Sequence, residues 1–311
     1  MDAPTAVVFA YHDVGVRCLS VLLAHRVRIP LVVTHRDDPK ENIWFESVEK
    51  LARANDIEVV TPEDPNDPRF PARISDIAPD FIFSFYYRHV LSPRLLATAR
   101  RGAYNMHGSL LPKYRGRVPV NWAVLKGERA TGATLHEMVD KPDAGRIVDQ
   151  LAVPILPDDR AIDVFRKVTV AAEIVLDRAL PGLIDGTAVF RAQDLAQGGY
   201  FGGRKADDGR IDWTRGAREI HDLVRAVAPP YPGAFTSLKG RRLRLLRTRL
   251  LDAQAGPAAP RLRLAGGKLL AECADGGVLA IIDCDLDGVP LEAATFADHF
   301  GREPVPLGET T

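Results

Sequence analysis

The sequence predicts an α/β protein: a Rossmann-like, mostly parallel sheet wound by helices, followed by a smaller β-barrel domain. Three observations carry this prediction. Short apolar runs recur between amphipathic stretches through the first half of the chain. The run FIFSFYY (81–87) is continuously apolar, as a strand covered on both faces requires. Beyond residue 240, alternating Arg/Leu runs separated by glycines replace helical periodicity.

In chain order, AVVFAY (6–11) reads as a buried strand and VGVRCLSVLLAHR (14–26) as a helix, with apolar residues three to four apart. IPLVVTH (29–35) is a second strand, WFESVEKLARAND (44–56) a second helix, and IEVV (57–60) a third strand. FIFSFYY follows, then LSPRLLATARR (91–101) and the strand AYNMH (103–107). VPVNWAVLKGE (118–128) reads as a helix with Pro119 tolerable in its first turn. Strands at 133–140 and 146–155 flank the tight segment KPDAG (141–145), and 158–186 is the clearest amphipathic helix. Residues 197–210, rich in Gly and charge, read as a linker or mobile loop. A helix at 216–229 and strand-like runs at 241–252, 260–274 and 276–288 complete the chain. The expected division is a catalytic domain over 1–200 and a smaller domain over 201–311. The arginines at 241, 242, 244, 247 and 249 read as the solvated face of a strand, a plainer account than a phosphate patch.

Lys+Arg and Asp+Glu are both 41, so the formal net charge is zero. A nucleic-acid substrate usually demands a basic excess, and none is expected as a partner. The first strand-to-helix turn, AYHDVGV, lacks G-x-G-x-x-G, which argues against a nicotinamide enzyme. Three scattered cysteines and eight scattered histidines show no zinc or metalloprotease spacing, so no metal is expected. The sparse cysteines suggest a reducing compartment. No apolar run is long enough for a signal h-region or a membrane span, so a cytoplasmic protein without membrane insertion is expected.

The chemistry concentrates in AYNMHGSLLPKYRGR (103–117). Side chains two apart on a strand share a face, so Asn105 and His107 can converge on one atom at a strand's carboxyl end. An amide donor beside a titratable imidazole suits a reaction that builds charge on a carbonyl oxygen and moves a proton. Taken alone, N-x-H at a strand end is more often structural. Ser109 has Leu111 where a nucleophile elbow needs glycine, which disfavours a serine hydrolase. In the loop that follows, Lys113, Arg115 and Arg117 offer cations to an anionic ligand. A histidine used this way wants a carboxylate, and Asp143 competes for that place with Asp13, Asp37, Asp38 and Asp140.

Residues 105–148 carry N-x-H-x-S-L-L-P, then R-G, T-G-x-T and D-x-G in that order. The stretch resembles the signature of the formyltetrahydrofolate-dependent formyltransferases, and the tail from DGRIDW (208–213) resembles that family's C-terminal OB-like domain. The resemblance implies an enzyme with 10-formyltetrahydrofolate as formyl donor. It implies His107 as general acid/base, Asn105 as oxyanion donor, and Asp143 raising the pKa of His107. It further implies a folate pocket of His89, Val90, Leu91, Arg117 and the loop Val139, Asp140, Lys141, Pro142 and Asp143.

Three acceptor amines compete within the family: methionyl-tRNA, a nucleotide-linked amino sugar and glycinamide ribonucleotide. Neutral charge and Pro142, where the tRNA enzymes usually carry leucine, favour the sugar. The phrases FSFYYRHVL and GATLHEMVDKPDAG are similar to the sugar-nucleotide branch of the family. That branch includes the formyltransferase half of a bifunctional enzyme acting on UDP-4-amino-4-deoxy-L-arabinose for lipid A modification and polymyxin resistance. The decarboxylase half is absent from this chain. Arg204 and Lys205 in FGGRK (201–205) are candidates for a substrate diphosphate. A folate-binding regulatory relative is the non-enzyme alternative.

Overall fold

The computed structural model describes residues 3–256 and 259–308. It divides into two compact units, one of residues 1–119, 130–153 and 165–202, the other of 120–129, 154–164 and 203–311.

In the first unit, β1 (Thr5–Ala10) and β4 (Phe81–Phe85) are buried along their whole length, as their unbroken apolar sequences require. They lie side by side and parallel, with β2 (Arg28–Val33) and β3 (Glu58–Val60) beyond β1 and β5 (Gly102–His107) beyond β4. The full order is β3-β2-β1-β4-β5-β7-β8, where β7 is Ala130–Glu137 and β8 Ile147–Pro154. The order reverses direction between β1 and β4, the switch point at which open α/β sheets bind ligands. Strand β7 runs antiparallel to β5 and pairs Asn105 with His136 and His107 with Thr134.

Helices α1 (His12–Ala24), α2 (Val48–Ala54), α3 (Arg69–Ile77) and α4 (Pro93–Leu96) connect the parallel strands. α5 (Pro119–Leu125) precedes β7, and α6 (Ala161–Asp185) follows β8. Val7, Phe9, Leu31, Val33, Ile74, Ile82 and Leu95 form a core cluster on the sheet. The helix expected from Trp44 begins only at Val48, where the Ser47 side chain caps the Lys50 N–H. Trp44 and Phe45 lie before it and pack edge-on and stacked against the His12 ring.

The segment 197–210 is not an open linker. Its residues Tyr200–Phe201 form β9, a parallel partner of β6 (Arg115–Gly116), and two short 3-10 turns, 195–197 and 206–209, flank it. Gly116 permits this pairing: at φ 101° it has a conformation that favours glycine, and a Cβ there would lie 2.2 Å from the Phe201 carbonyl oxygen.

The second unit is built on an antiparallel half-barrel in the order β10-β11-β14-β13-β12-β16, with β15 against β14. Its strands are β10 (Ala234–Leu238), β11 (Arg241–Gln254), β12 (Arg261–Ala265), β13 (Lys268–Glu272), β14 (Gly277–Leu286), β15 (Val289–Pro290) and β16 (Val305–Pro306). Helices α7 (Ala217–Val227) and α8 (Ala293–Phe300) accompany it, and Ile220, Val224, Leu243, Leu245 and Phe296 share one core. β11 turns Leu243 and Leu245 inward, while Arg244 meets Asp285 across the strand pair and Arg241 meets Asp287. These pairs account for the Arg-rich run as the polar face of a strand.

Candidate active site

Asn105 and His107 leave β5 on one face, as the two-residue period dictates. His107 is 6% exposed, and its Nε2 lies 2.8 Å from the Tyr114 carbonyl oxygen. That oxygen only accepts, so Nε2 carries hydrogen and Nδ1 is the nitrogen that exchanges a proton. The loop supplying Tyr114 is pinned from within. Ser109 Oγ donates to the Lys113 carbonyl at 2.6 Å, and Thr134 Oγ1 donates to the Ser109 carbonyl at 2.6 Å. Ser109 is fully buried in this role, a structural hydroxyl rather than a nucleophile.

Among the aspartates that competed for His107, the fold delivers Asp143. Its Oδ1 lies 3.6 Å from His107 Nδ1 and 3.4 Å from His136 Nε2, and its Oδ2 accepts the Gly116 N–H at 2.8 Å. The backbone at Asp143 is left-handed, with φ 54°. The D-A-G spacing allows this turn to close against β7, since a Cβ on Gly145 would lie 2.0 Å from the Glu137 carbonyl oxygen. Gln193 Nε2 donates to the Asp143 and Gly145 carbonyls at 3.1 and 2.6 Å and holds the turn from the far side.

Burial pushes the Asp143 carboxyl up, but the His107 imidazole beside it and the Gly116 N–H hold it below the usual carboxylate range. It is the fixed negative charge of the site. Burial pushes the His107 imidazole below its ordinary value, and the upward pull of Asp143 offsets only part of this. The resemblance implied a raised imidazole. The pull it implied is present, but in the ligand-free protein desolvation of a group this buried is larger.

The remaining candidates fall on the surrounding loops. His89 and Val90 follow β4 and are exposed, whereas Leu91 is buried in the sheet's core cluster. Val139, Asp140 and Lys141 are exposed on the turn after β7, and Pro142 is half-buried. Arg117 is exposed, with its N–H donating to the Phe201 carbonyl at 2.9 Å. Arg115, by contrast with Arg117, is buried beneath the loop. It is 6% exposed and donates through Nη2 to the Leu195 and Gly198 carbonyls, both at 3.1 Å. In the second unit, Arg204 borders a cleft of about 1000 Å³ also lined by Lys126, Arg129 and Arg218. Its Nη1 donates to Asn121 Oδ1 at 3.1 Å, its Nη2 donates to the Asp208 carbonyl at 2.9 Å, and its guanidinium lies over the Trp122 ring. Lys205 is exposed, and its backbone N–H donates to Asp208 Oδ2 at 2.7 Å. Among the described residues no group of three or more His, Cys, Asp or Glu could hold a metal ion, and no helix is long and apolar enough to cross a membrane.

A buried imidazole with one exchangeable nitrogen, a fixed carboxylate beside it and an amide on the same strand face can stabilise a developing oxyanion and relay a proton. Residues 20–180, which span this whole constellation, match the formyl transferase family, and residues 204–301 match its C-terminal domain. The chain belongs to the formyl transferase family.

Solved structures of similar fold include the N-formyltransferase from Helicobacter canadensis, in complex with folinic acid and dTDP-3-aminofucose. It is 20% identical, with a TM-score of 0.71, over 90% of this chain and 99% of that one. The sugar 3N-formyl transferase WlaRD, solved with dTDP and 5-N-formyl-THF, is 19% identical, with a TM-score of 0.70, over 90% and 97% of the two chains. A 4-N formyltransferase from Francisella tularensis is 19% identical, with a TM-score of 0.61, over 77% and 95%.

Sequence reasoning missed one member of this formyl transferase's polar cluster. His136 is 1% exposed on β7, and its Nε2 lies 3.1 Å from Asn105 Nδ2. Its signal was present in TGATLHE, where Thr134 and His136 stand two apart in a mostly buried strand.

Proposed function

We propose that the chain transfers a formyl group from 10-formyltetrahydrofolate to the 4-amine of UDP-4-amino-4-deoxy-L-arabinose, in the cytoplasm, for lipid A modification. The observation that carries the reading is the meeting of Asn105, His107 and Asp143 at the carboxyl edge of the sheet, within a chain of this family. The sugar acceptor is supported by the zero net charge, which offers little to a tRNA backbone, and by the fold shared with sugar N-formyltransferases. The wording of the 83–91 and 132–145 segments supports the UDP-linked 4-amino sugar. Three free, buried cysteines suit a reducing compartment.

The loops beside the triad fit a folate. Val90 and Val139 are 63% and 43% exposed, apolar side chains able to cover a flat heterocycle, and Arg117 is an exposed cation suited to a carboxylate tail. The donor supplies a formyl carbon bound to nitrogen, whose oxygen gains negative charge when an amine adds. Asn105 donates an amide N–H to that oxygen. His107 takes the proton of the attacking amine at Nδ1 and returns it to the departing nitrogen. Asp143 stabilises the imidazolium in between.

The test incubates the protein and 10-formyltetrahydrofolate with UDP-4-amino-4-deoxy-L-arabinose, a dTDP-linked amino sugar or methionyl-tRNA, and follows tetrahydrofolate release. Turnover is expected with the UDP-linked sugar and is expected to be lost in His107→Ala. Turnover with methionyl-tRNA alone would overturn the acceptor, and near-wild-type turnover by His107→Ala would overturn the mechanism.

A further inference from the structure

We infer that His136 is a positioning residue of the transfer site, one that turns the N–H end of the Asn105 amide into the cluster and leaves Asp143 to His107. The inference rests on the formyl-transfer reading and adds a residue to it.

His136 Nδ1 lies 2.7 Å from the backbone carbonyl oxygen of Glu137. That oxygen cannot donate, so Nδ1 carries a hydrogen. In the neutral imidazole Nε2 is then a bare acceptor, and it faces Asn105 Nδ2 at 3.1 Å. An acceptor there admits only the NH2 end of the amide. One of its two hydrogens goes to His136, and the other remains for a ligand oxygen. The opposite amide orientation would set two lone pairs against each other in a buried site, a costly arrangement.

Asp143 sharpens the point. Its Oδ1 is 3.4 Å from His136 Nε2 and 3.6 Å from His107 Nδ1. A hydrogen on His136 Nε2 would donate to that carboxylate and compete with the His107 imidazolium for it. The same hydrogen would face the Asn105 amide as a donor and draw its oxygen inward, turning the NH2 group away. The Nδ1–H tautomer avoids both outcomes at the cost of a lone pair 3.4 Å from the carboxylate, and the shorter 2.7 Å contact to the Glu137 carbonyl selects that tautomer. A histidine serving only as a satisfied core residue would spend both nitrogens on structural groups. Here both neighbours of Nε2 belong to the transfer site, and the β5–β7 register that sets Asn105 opposite His136 brings them there.

Two measurements test this on the full chain. NMR of protein labelled in its histidine rings, with the His136 signals assigned by their loss in His136→Gln, is expected to show the neutral ring hydrogenated on Nδ1. Hydrogen on Nε2 would overturn the inference. Kinetics then compare His136→Phe, which keeps a ring but removes the acceptor, with His136→Gln, whose carbonyl oxygen can still accept from Asn105. His136→Phe is expected to lower kcat by about 10- to 100-fold per folded molecule with KM for donor and sugar within about threefold, and His136→Gln to recover most of the loss. A kcat for His136→Phe within threefold of wild type would overturn the inference, as would a His136→Gln no better than it. Absence of turnover by the wild type would instead sink the formyl-transfer reading, while the tautomer, which needs no substrate, would still decide the role of His136.

Discussion

Replacing Asp143 with Asn tests the site at its fixed charge. The substitution keeps the shape of the side chain and removes the negative charge 3.6 Å from His107 Nδ1. At that distance, and with the effective dielectric of about 20 suited to such sites, the attraction for an imidazolium is about 4–5 kcal/mol. At about 1.4 kcal/mol per factor of ten, the imidazolium that His107 forms while holding the amine's proton becomes about 10³-fold harder to reach. The backbone should survive the change. Asn tolerates the left-handed φ of 54°, and its side-chain oxygen can still accept the Gly116 N–H.

The expected result is a kcat for formyl transfer lower by about 10³-fold, with the fold retained, the melting temperature at pH 7 lowered because the variant lacks the stability the carboxylate contributes there, and the His107 titration moved downward by NMR. Linkage supplies an internal check. The Asp143 carboxyl is depressed in the fold, so it contributes stability that is present above the unfolded value near 3.9 and lost as pH falls through the lower folded value. The acid-induced loss of stability below about pH 4 should therefore be smaller in the variant. A kcat within tenfold of wild type, together with a His107 titration that does not move downward, would refute the role assigned to Asp143.

Asn105→Ala is expected to reduce kcat by about 10²–10³-fold, the cost of one oxyanion donor; an effect confined to KM would assign the amide to binding alone. Gly145→Ala should destabilise the protein by about 1–3 kcal/mol in chemical denaturation and lower activity, because its methyl group meets the Glu137 carbonyl at 2.0 Å and must push the Asp143 turn outward. Stability should also fall on acidification from pH 7 toward 4. His12 Nδ1 and His35 Nε2 each accept a backbone N–H at 3.0 Å, from Asp13 and Arg88, and burial lowers the two rings to about 3 and about 4. Below pH 6.5 the unfolded chain takes up protons that the fold refuses, costing up to about 1.4 kcal/mol per pH unit from His12 and less from half-buried His35. Urea midpoints that agree at pH 7 and pH 5 would contradict this.

What the sequence reveals of this site depends on how local each piece is. β1 and β4 are legible because both faces are buried, which leaves no ambiguity of period, and Asn105 and His107 are legible because strand geometry alone sets them on one face. Asp143 could be placed only through the family resemblance, since its approach to His107 depends on the left-handed turn after β7 and on Gly145. His136 stayed hidden for a related reason. In TGATLHE it is one of several polar residues on a mostly buried strand, and its partner is chosen by the antiparallel register between β5 and β7, which nothing within either strand specifies. The segment 197–210 was legible only in part. Glycine and charge marked it as a linker, and the boundary between the two units does fall at Gly202 and Gly203, but the short strand that the bare backbone of Gly116 admits at Tyr200–Phe201 was not legible. A glycine advertises conformational freedom in sequence, and only the neighbouring strand shows whether that freedom becomes a loop or a close contact. At this site, close contacts at Gly116 and Gly145 bring the Asp143 carboxylate to its place, so the chemistry rests on two residues that have no chemistry of their own.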